Sequence, residues 1–459
     1  MNKRDNVIRA CLATLALTPL APTWAQSPGE EENTAPYSLF GDALEQAAGI
    51  KAFGYLQVGY SKNNVSNHAE ASGGHSNFPV IGAADEGLQF NALHLALERP
   101  ITTNILPRIT PLPGPVPWEF SWGFRTELLY GRNGLPATMQ GFDADWGVNR
   151  SPDGVSPGSN RQNYAAMPQV FAQFYFPVGD GAALTVGRFG SGIGRDIPPA
   201  WRPGPSVFYT HTYALASQPD QVAGALGSLN LMRNAYGFIA GELGIVNGRQ
   251  NWQDNNRSKS LIGALRWRST DMGTWVDYSF MRGNEQNDLT KVSAPQMPIA
   301  RLISPRGQLR EHHSLSAAFK PADRWQVNAE LVYGKQHGDG QPGTLDVLTF
   351  DPAKGNFFSG ASYGGLNGQV VYSASPVLRY ALRLETFRDR QGVALFPVTA
   401  VPGDFNAITA GFTYELNRNV ILRPEIRHDW QSHNNGVNAF GSGRANRQTT
   451  LSADLVMYF

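Results

Sequence analysis

Residues 118–130 place Trp118, Phe120, Trp122, Phe124, Thr126, Leu128 and Tyr130 at alternate positions. Between them stand Glu119, Ser121, Gly123, Arg125 and Glu127. Side chains on a β-strand point to opposite faces with a period of two, so this stretch predicts a strand with one aromatic and one charged face. In water the aromatic face needs a second layer to cover it. In a closed sheet crossing a bilayer it needs only lipid outside and water inside. The plan repeats. Val420, Leu422, Ile426 and Trp430 oppose Arg423, Glu425, Arg427 and Asp429; Leu378, Tyr380, Leu382 and Leu384 oppose Arg379, Arg383 and Glu385. Trp325, Val327, Ala329, Leu331 and Tyr333 oppose Gln326, Asn328 and Glu330, and Leu451, Ala453, Leu455, Met457 and Phe459 end the chain on the same pattern.

Weaker alternating runs fall at about 51–62, 88–98, 167–176, 182–190, 221–231, 234–246, 258–268, 273–282, 308–320, 366–375 and 404–416. Together these predict an all-β fold, a single antiparallel up-and-down transmembrane barrel of about sixteen strands, within a range of 12–18. No window approaches eighteen consecutive apolar residues, so helical spans are excluded. Hydrophobic content of 41% and a mean hydropathy of −0.30 do not argue against a barrel, where only every second residue meets lipid. No linker or composition shift divides the 459 residues, which favours one large closed sheet over several soluble domains.

At the start, Lys3, Arg4 and Arg9 precede a largely apolar run from Ala10 to Ala21, followed by Thr23-Trp24-Ala25. This predicts a signal peptide over 1–25, cut before Gln26, and export through the Sec pathway. The one cysteine, Cys11, lies inside it, so the mature chain has no disulfide, thiolate nucleophile or cysteine metal site. Cleavage removes three basic residues and one acidic residue from the 38 and 37 of the full chain, for a net charge of −1. That excludes the basic footprint of a nucleic-acid binder. Residues 26–50 read as an acidic periplasmic lead-in (Glu30-Glu31-Glu32), with one helix expected over 38–48: Ser38 as N-cap, Leu39, Leu44 and Ala48 on one face, Gly49 as stop. A disordered tail is the alternative.

Connection lengths give an independent test, because barrel strands alternate short periplasmic turns with long extracellular loops. Short connections are expected at 177–181, 232–233, 269–272, 321–323 and 417–419. Long ones fall at 61–87, 132–166, 191–220, 247–257, 283–307, 336–365, 388–403 and 431–446. The segment 99–117, with six prolines, is long where a short turn is due. It is either an extended periplasmic loop or a break in the alternation.

Several segments carry a family likeness. Met167-Pro168-Gln169-Val170-Phe171 runs on to Gly181, then Gly187-Arg188-Phe189 and Gly192-Ile193-Gly194-Arg195. Phe208-Tyr209, His211, Tyr213-Ala214-Leu215, Asn247-Gly248 and Asp254-Asn255-Asn256 follow. These segments resemble the β-barrel porin-2 family of bacterial outer-membrane proteins, and Phe459 resembles the terminal residue of closing strands read by the barrel-assembly machinery. The likeness is specific mainly over 165–260. It implies an outer-membrane porin and brings no catalytic residues. The proline-rich segment departs from it. Outer-membrane lipid, lipopolysaccharide, the assembly machinery and a small polar solute are the implied partners, with no cofactor.

The expected pore-lining charges are Arg125, Glu127, Arg266, Arg268, Glu330, Arg379, Arg383, Glu385, Arg423, Glu425, Arg427 and Asp429. They predict an arginine ladder facing carboxylates across a water-filled lumen, mildly favouring anions. The plainer alternative is that these charges pair among themselves. Loop 191–220 is the candidate constriction, through Arg195, Asp196, Trp201, Arg202, Tyr209, His211 and Tyr213; a surface lid is the alternative. A structural or adhesive barrel with a plugged lumen, a lipid-processing enzyme and a soluble carbohydrate-binding protein are rival functions. Against the enzyme, most histidines fall in loops, and His312 and His313, adjacent on a strand, point to opposite faces, so a shared metal is not expected.

Overall fold

The computed structural model describes residues 40–41, 43–65, 77, 86–108, 110–149, 164–196, 206–254, 256–285, 309–337, 360–395, 401–441 and 443–459. The expected signal peptide and most of the lead-in lie outside these residues.

The elements in chain order are α1 (Ala43–Ala48), β1 (Lys51–Asn63), β2 (Gly87–Arg99), β3 (Ile105–Leu106), β4 (Thr110–Pro111), β5 (Ser121–Gly131), α2 (Gly134–Ala137), β6 (Tyr164–Ala166), β7 (Val170–Phe176), β8 (Ala182–Gly190), α3 (Tyr213–Ser217), β9 (Gln221–Asn234), β10 (Gly237–Val246), β11 (Ser260–Arg268), β12 (Trp275–Asn284), β13 (Leu309–Ala322), β14 (Trp325–His337), β15 (Gly360–Ser375), β16 (Leu378–Asp389), β17 (Gly403–Asn417), β18 (Val420–Ser432) and β19 (Arg447–Tyr458). Sixteen strands pair antiparallel with their sequence neighbours and close where β1 meets β19, from Tyr55 opposite Tyr458 to Asn63 opposite Thr450. Two backbone bonds extend this seam: Gly54 N–H to Phe459 O at 2.7 Å and Phe459 N–H to Gly54 O at 3.1 Å.

β6 is a seventeenth strand and pairs with the same partner, β5, as β7 does. Met167-Pro168-Gln169 separates the two. Proline has no N–H to give the ladder, so pairing stops there, and only the Gln169 carbonyl still accepts, from Glu127 N–H at 2.9 Å.

The alternation has its expected geometry. Leu128, Leu243, Leu265, Leu331, Leu382, Leu384, Ile426 and Leu451 are exposed on the outside, while Glu127, Arg266, Glu330, Arg383 and Arg427 are buried within. Each outer Leu or Ile would gain roughly 1.5–3 kcal/mol by leaving water, which a hydrocarbon layer supplies. Trp118, Phe120, Tyr236, Trp325 and Tyr380 are exposed toward the short-turn end, and Tyr60, Tyr130, Tyr333 and Trp430 toward the long-loop end. Such rings suit the two polar boundaries of a bilayer. Among the described residues no helix is long and apolar enough to cross a membrane.

Several expectations need correction. The turn placed at Met232-Arg233 falls at 235–236, because β9 runs on to Asn234. The described helix near the start covers only Ala43–Ala48, not 38–48. Even spacing along β2 would put His94 and Phe90 on one face, but they lie on opposite faces. A bulge at Asn91 lets Gln57 face Ala92 and Val58 face Phe90, which flips the alternation. The segment 99–117 is a long connection at the short-turn end and not a break in the alternation, since β2 pairs with β5 across it. It forms the β3–β4 hairpin and packs within the barrel, with Ile105 and Asn104 fully buried. Asn104 donates to Asp180 O at 2.7 Å, and Arg233 holds Leu112 O at 2.7 Å and Gly114 O at 2.6 Å.

Candidate functional site in the barrel lumen

The inward charges stand on neighbouring strands, and in the described residues almost all are engaged. On β16, β18 and β19, Arg427 bonds Glu385 at 2.6 Å and Asp429 at 2.8 Å; Arg423 bonds Asp454 at 2.5 and 2.9 Å; Arg383 lies 3.0 Å from Glu385. On β11 and β12, Arg266 reaches Asp277 at 2.9 Å and Glu242 of β10 at 3.2 Å, and Arg268 also pairs with Asp277. On β5, Arg125 bonds Glu127 at 2.6 Å and Glu98 at 3.3 Å. Arg379 stands apart near the short turns, paired with Glu415 at 3.4 Å and 29% exposed. Its partner lies on the next strand, β17, just as Asp454, the partner of Arg423, lies on β19 beside β18.

Glu425 and Glu385 bind the connection between β8 and β9, whose described parts, 191–196 and 206–220, lie in the bore. Its neck closes where Ser191 N–H donates to Asp220 O at 3.0 Å. Glu425 accepts the backbone N–H groups of Tyr209 at 2.9 Å and Thr210 at 3.2 Å, and Glu385 accepts that of Tyr213 at 2.8 Å. The Tyr213 hydroxyl donates to Asp429 at 2.5 Å, and that of Tyr209 to Asn91 on β2 at 3.0 Å. Arg383 donates to Thr210 O at 2.8 Å and Arg427 to His211 O at 3.2 Å. On the adjoining strands β14 and β15, Arg195 donates from its backbone to Glu330 and from its side chain to Asn367, each at 3.2 Å, and Gln218 donates to Glu330 at 2.7 Å. The loop therefore touches β2, β14, β15, β16 and β18. Burying a charge is costly unless hydrogen bonds repay it, and these carboxylates are repaid largely by loop amides.

The loop also organises itself. Asp196 accepts Thr212 N–H at 2.7 Å and faces His211 Nδ1 at 3.1 Å. Burial alone would raise its pKa, but the facing His211 holds it well below the usual carboxylate range. Thr212 caps α3 by accepting Leu215 N–H. Burial pushes the Tyr209 and Tyr213 hydroxyls far up, so both stay neutral donors. Trp201 and Arg202 lie outside the described residues.

A second insert arrives from the short-turn end. Arg108, beyond β3, has φ of 69° and is buried. Its side chain donates to Gln169 Oε1 at 3.1 Å and Gly190 O at 3.3 Å, over the rings of Phe171 and Phe189, while its N–H donates to Glu242 at 2.5 Å. Burial lowers its pKa to about 10, with Glu242 opposing. Arg188 of β8 pairs with Asp143 of the 132–149 connection at 2.5 Å.

Sequence reasoning missed Arg108, Asp143, Arg188, Glu242, Asp277 and Asp454. Asp277 and Asp454 sit at inward positions of recognised strands, and the alternation alone could have found them. Asp143 and Arg108 lie in irregular connections with no such signal. Phe459 takes part in the seam and lies 6.0 Å, ring to ring, from Phe40. Among the described residues no cluster of three metal-ligating side chains occurs.

No curated protein matches the chain. Among solved structures, the outer-membrane channel DcaP of Acinetobacter baumannii is similar at 10% identity, over 89% of this chain and 97% of that one, with a TM-score of 0.50. The anion-selective porin of Comamonas acidovorans is similar at 10% identity over 89% and 99%, with a TM-score of 0.49. Salmonella typhi OmpF, in complex with daunomycin, is similar at 12% identity over 89% and 97%, again with a TM-score of 0.49. At such identities the first of these speaks to fold alone. Residues 49–459 match the family described as putative beta-barrel porin-2, OmpL-like, and the chain therefore belongs to that family of porin-like outer-membrane β-barrels.

Proposed function

We propose that the protein is a passive channel for small hydrophilic solutes in which loop 191–220 is a constriction anchored across the bore. Short turns then face the periplasm and long loops the exterior. One observation carries the reading: Glu425 and Glu385 hold the amides of Tyr209, Thr210 and Tyr213 on the wall opposite the loop's neck. An anchored loop narrows a lumen that sixteen strands would otherwise leave wide. Eight of the twelve expected wall charges, those on β11, β14, β16 and β18 other than Arg268 and Arg379, act as its moorings. Arg125 and Arg379, partly exposed on the inner face, remain available to solutes.

In planar bilayers the purified barrel should give small conductance steps, and the double variant E385Q/E425Q should enlarge them. Unchanged conductance would return the loop to the role of a lid. Export by the Sec route, recognition of Phe459 by the assembly machinery, and contact of the outer surface with lipopolysaccharide belong to the same proposal. A plugged structural barrel is the second reading, favoured by the two inserts that meet inside the lumen. Silence in the bilayer, from both wild type and E385Q/E425Q, would select it. His94, buried at 1% exposure, stacks on Tyr55 and lies 3.5 Å from Glu127, which gives it a packing role in the wall.

A further inference from the structure

The arginines of the expected ladder are neutralised by partners, which moves the question of solute charge elsewhere. At the long-loop end, Arg249 from the β10–β11 connection and Arg310 from β13 line one niche with His312, Tyr363 and Glu285, beside Ser217 at the end of α3. Among the described residues neither arginine pairs with a carboxylate. Arg249 donates to Ser217 O at 3.1 Å, and Arg310 reaches only the Tyr363 hydroxyl at 3.5 Å, over whose ring it lies. Glu285 is already occupied. It accepts the Arg249 backbone N–H at 2.7 Å and the Ser260 hydroxyl. Asp220 acts on Arg249 and Asp389 on Arg310 through space, without an ion pair among the described residues.

The second observation is independent. His312 is 3% exposed, its Nδ1 lies 3.1 Å from the Tyr363 hydroxyl, and its Nε2 has no partner. A buried ring nitrogen without a partner costs about 1–3 kcal/mol unless something fills the place. The niche has room, about 10 Å³, for one oxygen atom. Both arginines are half-buried, so they face solvent as well as the niche. Burial and the neighbouring Arg310 cation lower the Arg249 pKa, the strain expected of two like charges held together.

We infer that Arg249, Arg310, His312 and Tyr363 form a subsite at the outer mouth that captures one carboxylate or phosphate group of a small anionic solute. One oxygen sits in the niche on the His312 Nε2–H, a tautomer that the Tyr363 hydroxyl fixes by donating to Nδ1, and the guanidiniums take the others. This rests on the channel reading for its purpose but not for its existence. The subsite lies on the outer side of the anchored loop, so a solute would meet it before the constriction.

The test is calorimetric titration of the full mature barrel in detergent, in chloride-free buffer, with inorganic phosphate and separately with succinate. Wild type should bind at least one of the two at a single site. R249Q and R310Q should each weaken binding about tenfold, the loss of one charge-assisted contact. K259Q, which removes an exposed lysine paired with Asp254 on the same connection, should not. Heat-modifiable gel migration confirms that each variant is folded, and R249Q lies outside the strands in case R310Q is not. Affinity unchanged in R249Q, or lowered equally in K259Q, overturns the subsite. Binding without bilayer conductance would uphold it while removing the channel.

Discussion

Gly192 and Arg108 lie against each other inside the barrel, although one belongs to a connection at the long-loop end and the other to one at the short-turn end. A Cβ built on Gly192 would stand 2.6 Å from the Arg108 Cβ and 2.9 Å from its carbonyl oxygen. Both residues have positive φ, 67° at Gly192 and 69° at Arg108. Two inserts thus brace one another in the middle of the lumen, beside the Arg266 side chain that donates to Gly192 O at 2.8 Å.

Gly192→Ala should therefore destabilise the barrel by about 1–3 kcal/mol, through the left-handed backbone and the clash together. The drop should appear as a lower temperature of the folded-to-unfolded shift on a gel. Wild-type behaviour would mean that the inserts do not press on each other.

Arg427→Met should cost about 3–5 kcal/mol, because it strands Asp429 with no cation in a buried place and leaves Glu385 with Arg383 alone. Chemical denaturation in detergent measures it. Arg390→Met, at a 51% exposed partner of Asp404, should cost less than about 1 kcal/mol.

Asp220 sets a pH dependence. Burial pushes its carboxyl from 3.8 up to about 7, with Arg249 opposing and Asp196 adding. Between those values the native state holds a proton that the unfolded chain has released, so stability falls as pH rises from about 4 to 7. Asp220→Asn should flatten this slope in melting curves taken across that range. An unaltered slope would assign it to another group.

Gly54→Val should impair closure. A Cβ there would run into His94 O and lie 2.7 Å from the Phe459 ring. The expected outcome is loss of the compact, heat-modifiable band, with material left unfolded on the gel.

The strands are legible in the sequence because alternation is a local property. Trp122, Phe124 and Leu128 against Arg125 and Glu127 declare a two-faced strand without knowledge of any neighbour. The partners are not legible. Arg423 chooses Asp454 over Glu425 because β19 lies beside β18, a neighbour that spacing along one strand does not reveal. The extra residue at Asn91 leaves no mark on composition, yet it reverses the faces of β2. The contents of the lumen were least visible. That Tyr209 would reach Glu425 depends on which walls oppose each other across the bore, and that follows only from closure. The hairpin carrying Arg108 hides in a proline-rich stretch whose length alone drew notice.

The seam joins the first strand to the last. Until residues 447–458 are in place, β1 has one flank with no ladder partner, and so does whichever strand was laid down most recently. A growing sheet of this kind offers two sticky borders to every other copy nearby. Shelter must last until Tyr55 finds Tyr458, so any variant that delays this final meeting should fail by clumping before its folded stability is ever tested.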